Sequence, residues 1–280
     1  MKTGYPTPMR PMLDYDFMRN AFAAAGIVAV TAGITGYFLV LRGQSFAGHA
    51  LSHVGFTGAT GAALFGAAPL AGLIVATLLA GLGMGALGVD RASRDVAIGM
   101  VLAFALGLGM LFLHFFTSYA TVATALLFGN VLAVERGTIA LLAALGGGAL
   151  AALAVISRPL LFASLQPELA EAKGVSLRLH AVLFLAIIAV ATALAAEVVG
   201  VLLVFTLLVG PAAAAMPATR HVATGVALAA TLALAEAWGG LALAYYTDWP
   251  ASFAITLLSA GAYALAHLGP EALARLRGRR

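Results

Sequence analysis

The amino-acid sequence predicts an all-α, polytopic membrane protein of about nine or ten transmembrane helices, and three observations carry that prediction. Of the 280 residues, 62% are hydrophobic and 9% charged, where soluble chains carry roughly a quarter charged. Apolar runs of about 20 residues, the length that crosses a hydrocarbon core of ~30 Å as a helix, recur between short polar breaks and leave no room for a large soluble domain. The 32 glycines are heavy for soluble helices but ordinary in membrane bundles, where small residues let backbones approach.

The elements run in order. Residues 1–16, MKTGYPTPMRPMLDYD, form a tail with no basic segment running into an apolar one, so no cleavable signal is expected and the first span, 17–40, is permanent. The second, 46–66, is glycine-rich, and it places His49 and His53 four residues apart on one helix face. Spans are expected at 69–88, with a GxxxG at Gly81 and Gly85, and at 96–116, carrying His114. The stretch 118–134, SYATVATALLFGNVLAV, is short and holds Thr121, Thr124, Gly129 and Asn130. It reads either as a tenth crossing or as a half-helix packed against protein, where irregular backbone is tolerated. Spans at 138–157, 178–198, 200–218, 222–246 and 251–268 complete a single transmembrane domain over 17–268, with a basic tail, 269–280, after it.

Between the fifth and sixth of these runs lies the polar segment 158–177. Pro167 opens a short amphipathic turn through Glu168, Leu169, Glu171 and Lys173 that ends on Gly174, a plausible C-terminal cap. Such a turn fits either a docking element or a solvated loop. Positive charge puts this segment and the tail in the cytoplasm, but does not fix the rest. Nine crossings with the N-terminus outside place Arg42, Arg91, Arg94, Arg158, Lys173, Arg178, Arg220, Arg275, Arg277, Arg279 and Arg280 inside; ten crossings exchange Arg42, Arg91 and Arg94 for Lys2, Arg10 and Arg19. Either way eleven of the 15 cations are cytoplasmic.

Several functions are excluded. The net charge of +4 lies in loops and tail, without interleaved aromatics, so nothing points to nucleic acid. There is no cysteine, hence no disulfide or thiolate ligand, and His, Asp and Glu are the strong metal ligands available. No G-x-x-x-x-G-K-[ST] frame surrounds either lysine, so ATP hydrolysis by that route would need a separate subunit. GxSxG and HExxH motifs are missing too. Transport or scaffolding remains, and the chain is not expected to be an enzyme.

Ionisable residues within spans are costly and tend to mark pathways. Those here are His49, His53, His114, Glu197 and Glu236, with Asp248 at the end of a run. Histidines at i and i+4 can grip one metal ion, or each can donate to a neighbouring helix carbonyl. His114, alone among aromatics, reads as a packing histidine. Glu236 has no basic partner in its own helix and is either a cation contact or a protonated hydrogen-bonding group, while Asp248 before Trp249 and Pro250 is a further cation candidate or a water-facing turn residue.

Five segments, FLVLRGQSFAGHALSHVGFTG (38–58), LLFGN (126–130), LQPELAEAKGV (165–175), EVVGVLLVFTLLVGPAAAA (197–215) and YYTDWPASFAI (245–255), together resemble the membrane permease of bacterial ABC importers for divalent metals, the zinc/manganese permease family. The resemblance implies the vitamin-B12/metal-type importer permease architecture in the bacterial inner membrane, a permease homodimer, cytoplasmic ATPase subunits and an extracytoplasmic metal-binding protein. It also implies that 165–175 couples to the ATPase, through Pro167, Glu168, Glu171 and Gly174. The family's path motif is Gly-Asp-x-x-x-His; His53 matches its histidine, and His49 stands where the aspartate is usual. Exchanging a carboxylate oxygen for imidazole nitrogen moves the pair toward zinc, with Glu236 and Asp248 as weaker path candidates. Zinc as transported cargo, with no permanently bound cofactor, is the expectation. Manganese or iron import, import of a siderophore- or cobalamin-type chelate, and secondary metal transport are the alternatives.

Overall fold

The computed structural model describes residues 12–87, 91–116 and 126–277, with side chains for 12–86, 95–116 and 126–268. After a 3₁₀ turn at Met12–Asp14 come α1 (Asp16–Leu41), α2 (Ser45–Leu64), α3 (Pro69–Leu87), α4 (Arg91–His114), α5 (Arg136–Leu165), the short α6 (Pro167–Ala172), α7 (Leu177–Val199), α8 (Val201–Ala218), α9 (Val222–Thr247) and α10 (Ala251–Arg277). Among the described residues no strand is present. Every expected span is a helix, and eight of the nine long helices are long and apolar enough to cross a membrane. The ninth is α2, whose 20 residues would still rise about 30 Å. Its histidines and hydroxyl residues dilute its apolarity, and protein covers much of it, including Leu51, Val54, Phe56 and Ala59.

Two helices run on well past the C-terminal end of their expected spans. The fifth continues from 157 to Leu165 and the last from 268 to Arg277. Apolarity ends at the membrane surface, but helix propensity does not: LLFASL and EALARLR consist largely of good helix formers.

Polar contacts order the bundle. At one end, Asn20 Nδ2 donates to the carbonyl of Val134 at 3.2 Å and Arg136 lies 3.9 Å from Asp16, so α1 and α5 start side by side. At the other, Arg42 in the α1–α2 turn donates through Nη1 to the Leu160 carbonyl and to Ser164 Oγ, and its guanidinium lies 5.2 Å from the Phe184 ring centre. The two helices are therefore parallel. Helix α2 runs back beside α4, also in parallel: Thr57 donates to the Ala105 carbonyl, and Gly61 lies against Phe112. His114 thus stands near the end where α1 begins, and the chain leaves α4 and enters α5 at the same end.

A tenth crossing between them is not needed. Residues 118–125, like Lys2, Arg10, Arg279 and Arg280, lie outside the described residues, but residues 126–134 stay at that end. Gly129 and Gly200, both at positive φ (73° and 84°), meet backbone to backbone; a Cβ on Gly129 would fall 2.4 Å from the Gly200 nitrogen. Were α6 cytoplasmic, as both charge counts expect, Arg42 would be cytoplasmic and α1 would begin outside. This is the nine-crossing arrangement.

The packing is tight where glycines face each other. On α2 and α3, Gly58 and Gly72 form a reciprocal contact: a Cβ on either would lie 2.2 or 2.1 Å from the other's carbonyl oxygen. Gly81 and Gly85 of α3 similarly fit against Leu185 and Val182 of α7. This is the role expected for the GxxxG pair.

Candidate metal path

The fold brings together His49 and His53 alone among the predicted path residues. One helical turn apart on α2, their rings are edge to face with centroids 4.8 Å apart. Phe205 of α8 meets His49 edge-on at 5.3 Å and Phe46 stacks at 6.5 Å on the side of the α2 N-terminus. Through α3, where Gly55 touches Thr77 and Gly81 touches Leu185 and Ala189, the pair is level with the middle of α7. His53 Nδ1 is buried and unpartnered. The bland alternative, donation to a neighbouring helix carbonyl, is not made at that nitrogen. A buried ring nitrogen without a partner is costly, and its lone pair is free to hold an ion.

Among the described residues no third His, Asp or Glu completes a cluster with this pair. Glu236 is 3% exposed on α9 and neither carboxyl oxygen makes a hydrogen bond. Ser259 of α10, itself buried, is the polar side chain that acts on it, short of hydrogen-bond geometry. Asp248 caps α9 in the left-handed conformation (φ 58°, ψ 20°) and is exposed at the outer end, which is the turn geometry that Asp tolerates. Neither lines the cavity that His53 opens onto.

His114 does. A cavity of about 520 Å³ is lined by His53, Phe56, Leu106, Met110, Leu113, His114 and Leu127. The His114 ring is exposed, touches Phe115 at 5.6 Å and makes no hydrogen bond among the described residues. That differs from the satisfied packing histidine expected from sequence. The signal that would have found it is the parallel register of α2 and α4, which no local pattern encodes.

At the Arg42 end of the bundle, α6 is built as its residues dictate. Pro167 occupies the first helical turn, Glu168 lies near the N-terminus, and Ala170 faces inward, fully buried. The helix closes with a Schellman pair: Val175 N–H to the Ala170 carbonyl and Gly174 N–H to the Glu171 carbonyl, both 2.9 Å, with Gly174 at φ 81°. Glu168, Leu169 and Glu171 are exposed beside Leu165, a mixed acidic and apolar surface facing away from the bundle.

Comparison with known proteins places this arrangement. Residues 14–269 match the ABC 3 transport family. The manganese transport system membrane protein MntC of Halalkalibacterium halodurans is 28% identical over 256 residues, 91% of this chain and 88% of that protein. A probable iron transport system membrane protein of Haemophilus influenzae is 29% identical over 259 residues, 91% and 94% of the two chains. The solved structure of PsaBC from Streptococcus pneumoniae in complex with Fab superposes with a TM-score of 0.81 at 27% identity, covering 91% of this chain and 92% of that one. The chain is a multi-pass membrane protein, a transport component and not an enzyme, and it belongs to the ABC 3 transport family.

Proposed function

We propose that this chain is the permease of an ATP-driven importer that moves a divalent transition-metal ion into the cytoplasm through His49 and His53. The observation that carries this reading is the facing imidazole pair in mid-bundle with an unpartnered nitrogen on His53, in a member of a family whose relatives are named for manganese and iron transport. Two ligands with open positions suit transit, because a closed tetrahedral set would hold the ion as structure.

In the proposed cycle, an extracytoplasmic binding protein delivers the ion to the outer end. The ion enters the pair at His53 and passes to His49, where Phe46 and Phe205 border the ring. ATP-driven closure of cytoplasmic ATPase subunits, received at α6 through Glu168 and Glu171, alternates access. Arg42 ties the α5 end that leads into α6 to the turn that begins α2, which supplies a direct route from the docking helix to the pair. A permease homodimer encloses the path in this reading.

Two imidazoles favour zinc over manganese by ligand softness; the relatives' names favour manganese or iron. Both readings are tested together. Uptake by the assembled importer in proteoliposomes is expected to fall at least tenfold in a His49→Ala/His53→Ala double variant, and wild-type uptake by that variant would exclude the pair from the path. A single His49→Asp exchange is expected to raise manganese over zinc uptake; an unchanged ratio would exclude His49 as the selecting group. Uptake without ATP would point instead to secondary transport.

A further inference from the structure

We infer that His114 is a second metal station, at the outer mouth of the cavity whose inner end is His53; the inference rests on the metal-path reading above. Three observations carry it. First, both imidazoles line one cavity of about 520 Å³. Second, the parallel register of α2 and α4, with Thr57 on Ala105 and Gly61 against Phe112, sets His114 about ten residues further out than His53. At 1.5 Å per residue that is roughly 15 Å, too far to share one ion and a suitable length for a vestibule. Third, the remaining lining residues among those described, Phe56, Leu106, Met110, Leu113 and Leu127, are all apolar, so the imidazoles are the strong ligands that these residues offer. A dication that sheds water to enter such a space needs compensation at each end.

His114 sits on the last residue of α4, the extracytoplasmic end, where an ion would arrive. Its exposed ring has no hydrogen bond to give up among the described residues. The class of ligand is a divalent cation that accepts imidazole nitrogen, such as Zn²⁺. The role is capture and hand-over, and it differs from packing in what can replace the side chain.

That difference is the test. In the complete importer reconstituted in proteoliposomes and supplied with sub-saturating zinc-loaded binding protein, His114→Phe keeps an aromatic ring and removes the ligand. It is expected to slow uptake at least tenfold, while His114→Cys, a smaller side chain that still ligates, stays within threefold of wild type. The reverse order, or no effect of His114→Phe, would overturn the inference in favour of packing. Because the chain has no cysteine of its own, the thiol in His114→Cys is also a unique probe. It is expected to react with a membrane-impermeant methanethiosulfonate added outside; a thiol that does not react would equally overturn the inference. If the His49→Ala/His53→Ala variant transports normally while His114→Phe does not, the metal-path reading fails and the outer station stands.

Discussion

A single methyl group on α2 tests the packing that holds the histidine pair. Gly58→Ala would put a Cβ 2.2 Å from the Gly72 carbonyl oxygen and 2.4 Å from the Ala76 Cβ. Ordinary carbon–oxygen contacts begin near ~3.3 Å, so α2 and α3 must part by about 1 Å. Gly72 offers no slack, because it is locked in the mirror-image contact, 2.1 Å from the Gly58 carbonyl by the same measure. Overpacking of this kind costs about 1–3 kcal/mol, which lowers the melting midpoint by roughly 2–10 °C in a protein of this size. Since α2 carries His49 and His53, the same displacement moves the pair, and misplacement by about 1 Å can cost a reacting site ~100-fold. The assay is thermal unfolding of the permease–ATPase complex in nanodiscs alongside zinc uptake. The control is Gly83→Ala, whose added methyl meets nothing within 4 Å. A Gly58→Ala variant that melts with Gly83→Ala and transports like wild type would refute the argument that this contact sets the position of α2.

Four further outcomes are expected. Gly174→Val forces a β-branched residue to φ 81°, a left-handed cost of about 1–2 kcal/mol, and should weaken binding of the ATPase subunit about 5–30-fold; unchanged affinity would dissociate the α6 cap from docking. Arg42→Met removes the charged hydrogen bonds to the Leu160 carbonyl and Ser164, each worth about 1.5–3 kcal/mol, and should lower the melting midpoint more than Arg42→Lys does; equal midpoints for the two variants would show that positive charge alone recovers none of this contact. Glu236→Gln replaces a buried carboxyl without a hydrogen bond and is expected to melt at or above wild type with uptake retained, whereas a tenfold loss of uptake would put Glu236 in the path. Metal must compete with protons for both imidazoles, so zinc binding is expected to fall as the solution is made acid; equal zinc binding by the full complex at about pH 4 and pH 7.5 would remove the histidines as ligands.

Most of the fold was legible because the bilayer imposes a length. A 20-residue apolar run has one economical conformation in hydrocarbon, and each such run here became a helix. Ends were less legible where helix continues into water, as at 158–165 and 269–277. The crossing number was undecidable from charge, since Arg42, Arg91 and Arg94 trade evenly against Lys2, Arg10 and Arg19. Two long-range hydrogen bonds decide it, from Asn20 to Val134 and from Arg42 to Leu160, across 114 and 118 residues of sequence. Within the candidate site, the spacing of His49 and His53 is a property of one helix and could be read locally. The partnership of His53 with His114 depends on which way α4 runs beside α2, and the exposed, helix-capping position of Asp248 depends on where α9 ends.

Those two long-range hydrogen bonds also bracket the stretch of chain that holds His49, His53 and His114. Helices α2 to α4 leave the body of the protein at the Arg42 clasp and return to it at the Asn20 clasp, one at each face of the membrane. Between the clasps α3 is also held against α7 at Gly81 and Gly85, so any motion of the three helices as a unit must slide those glycines along Leu185 and Val182 while both clasps hold.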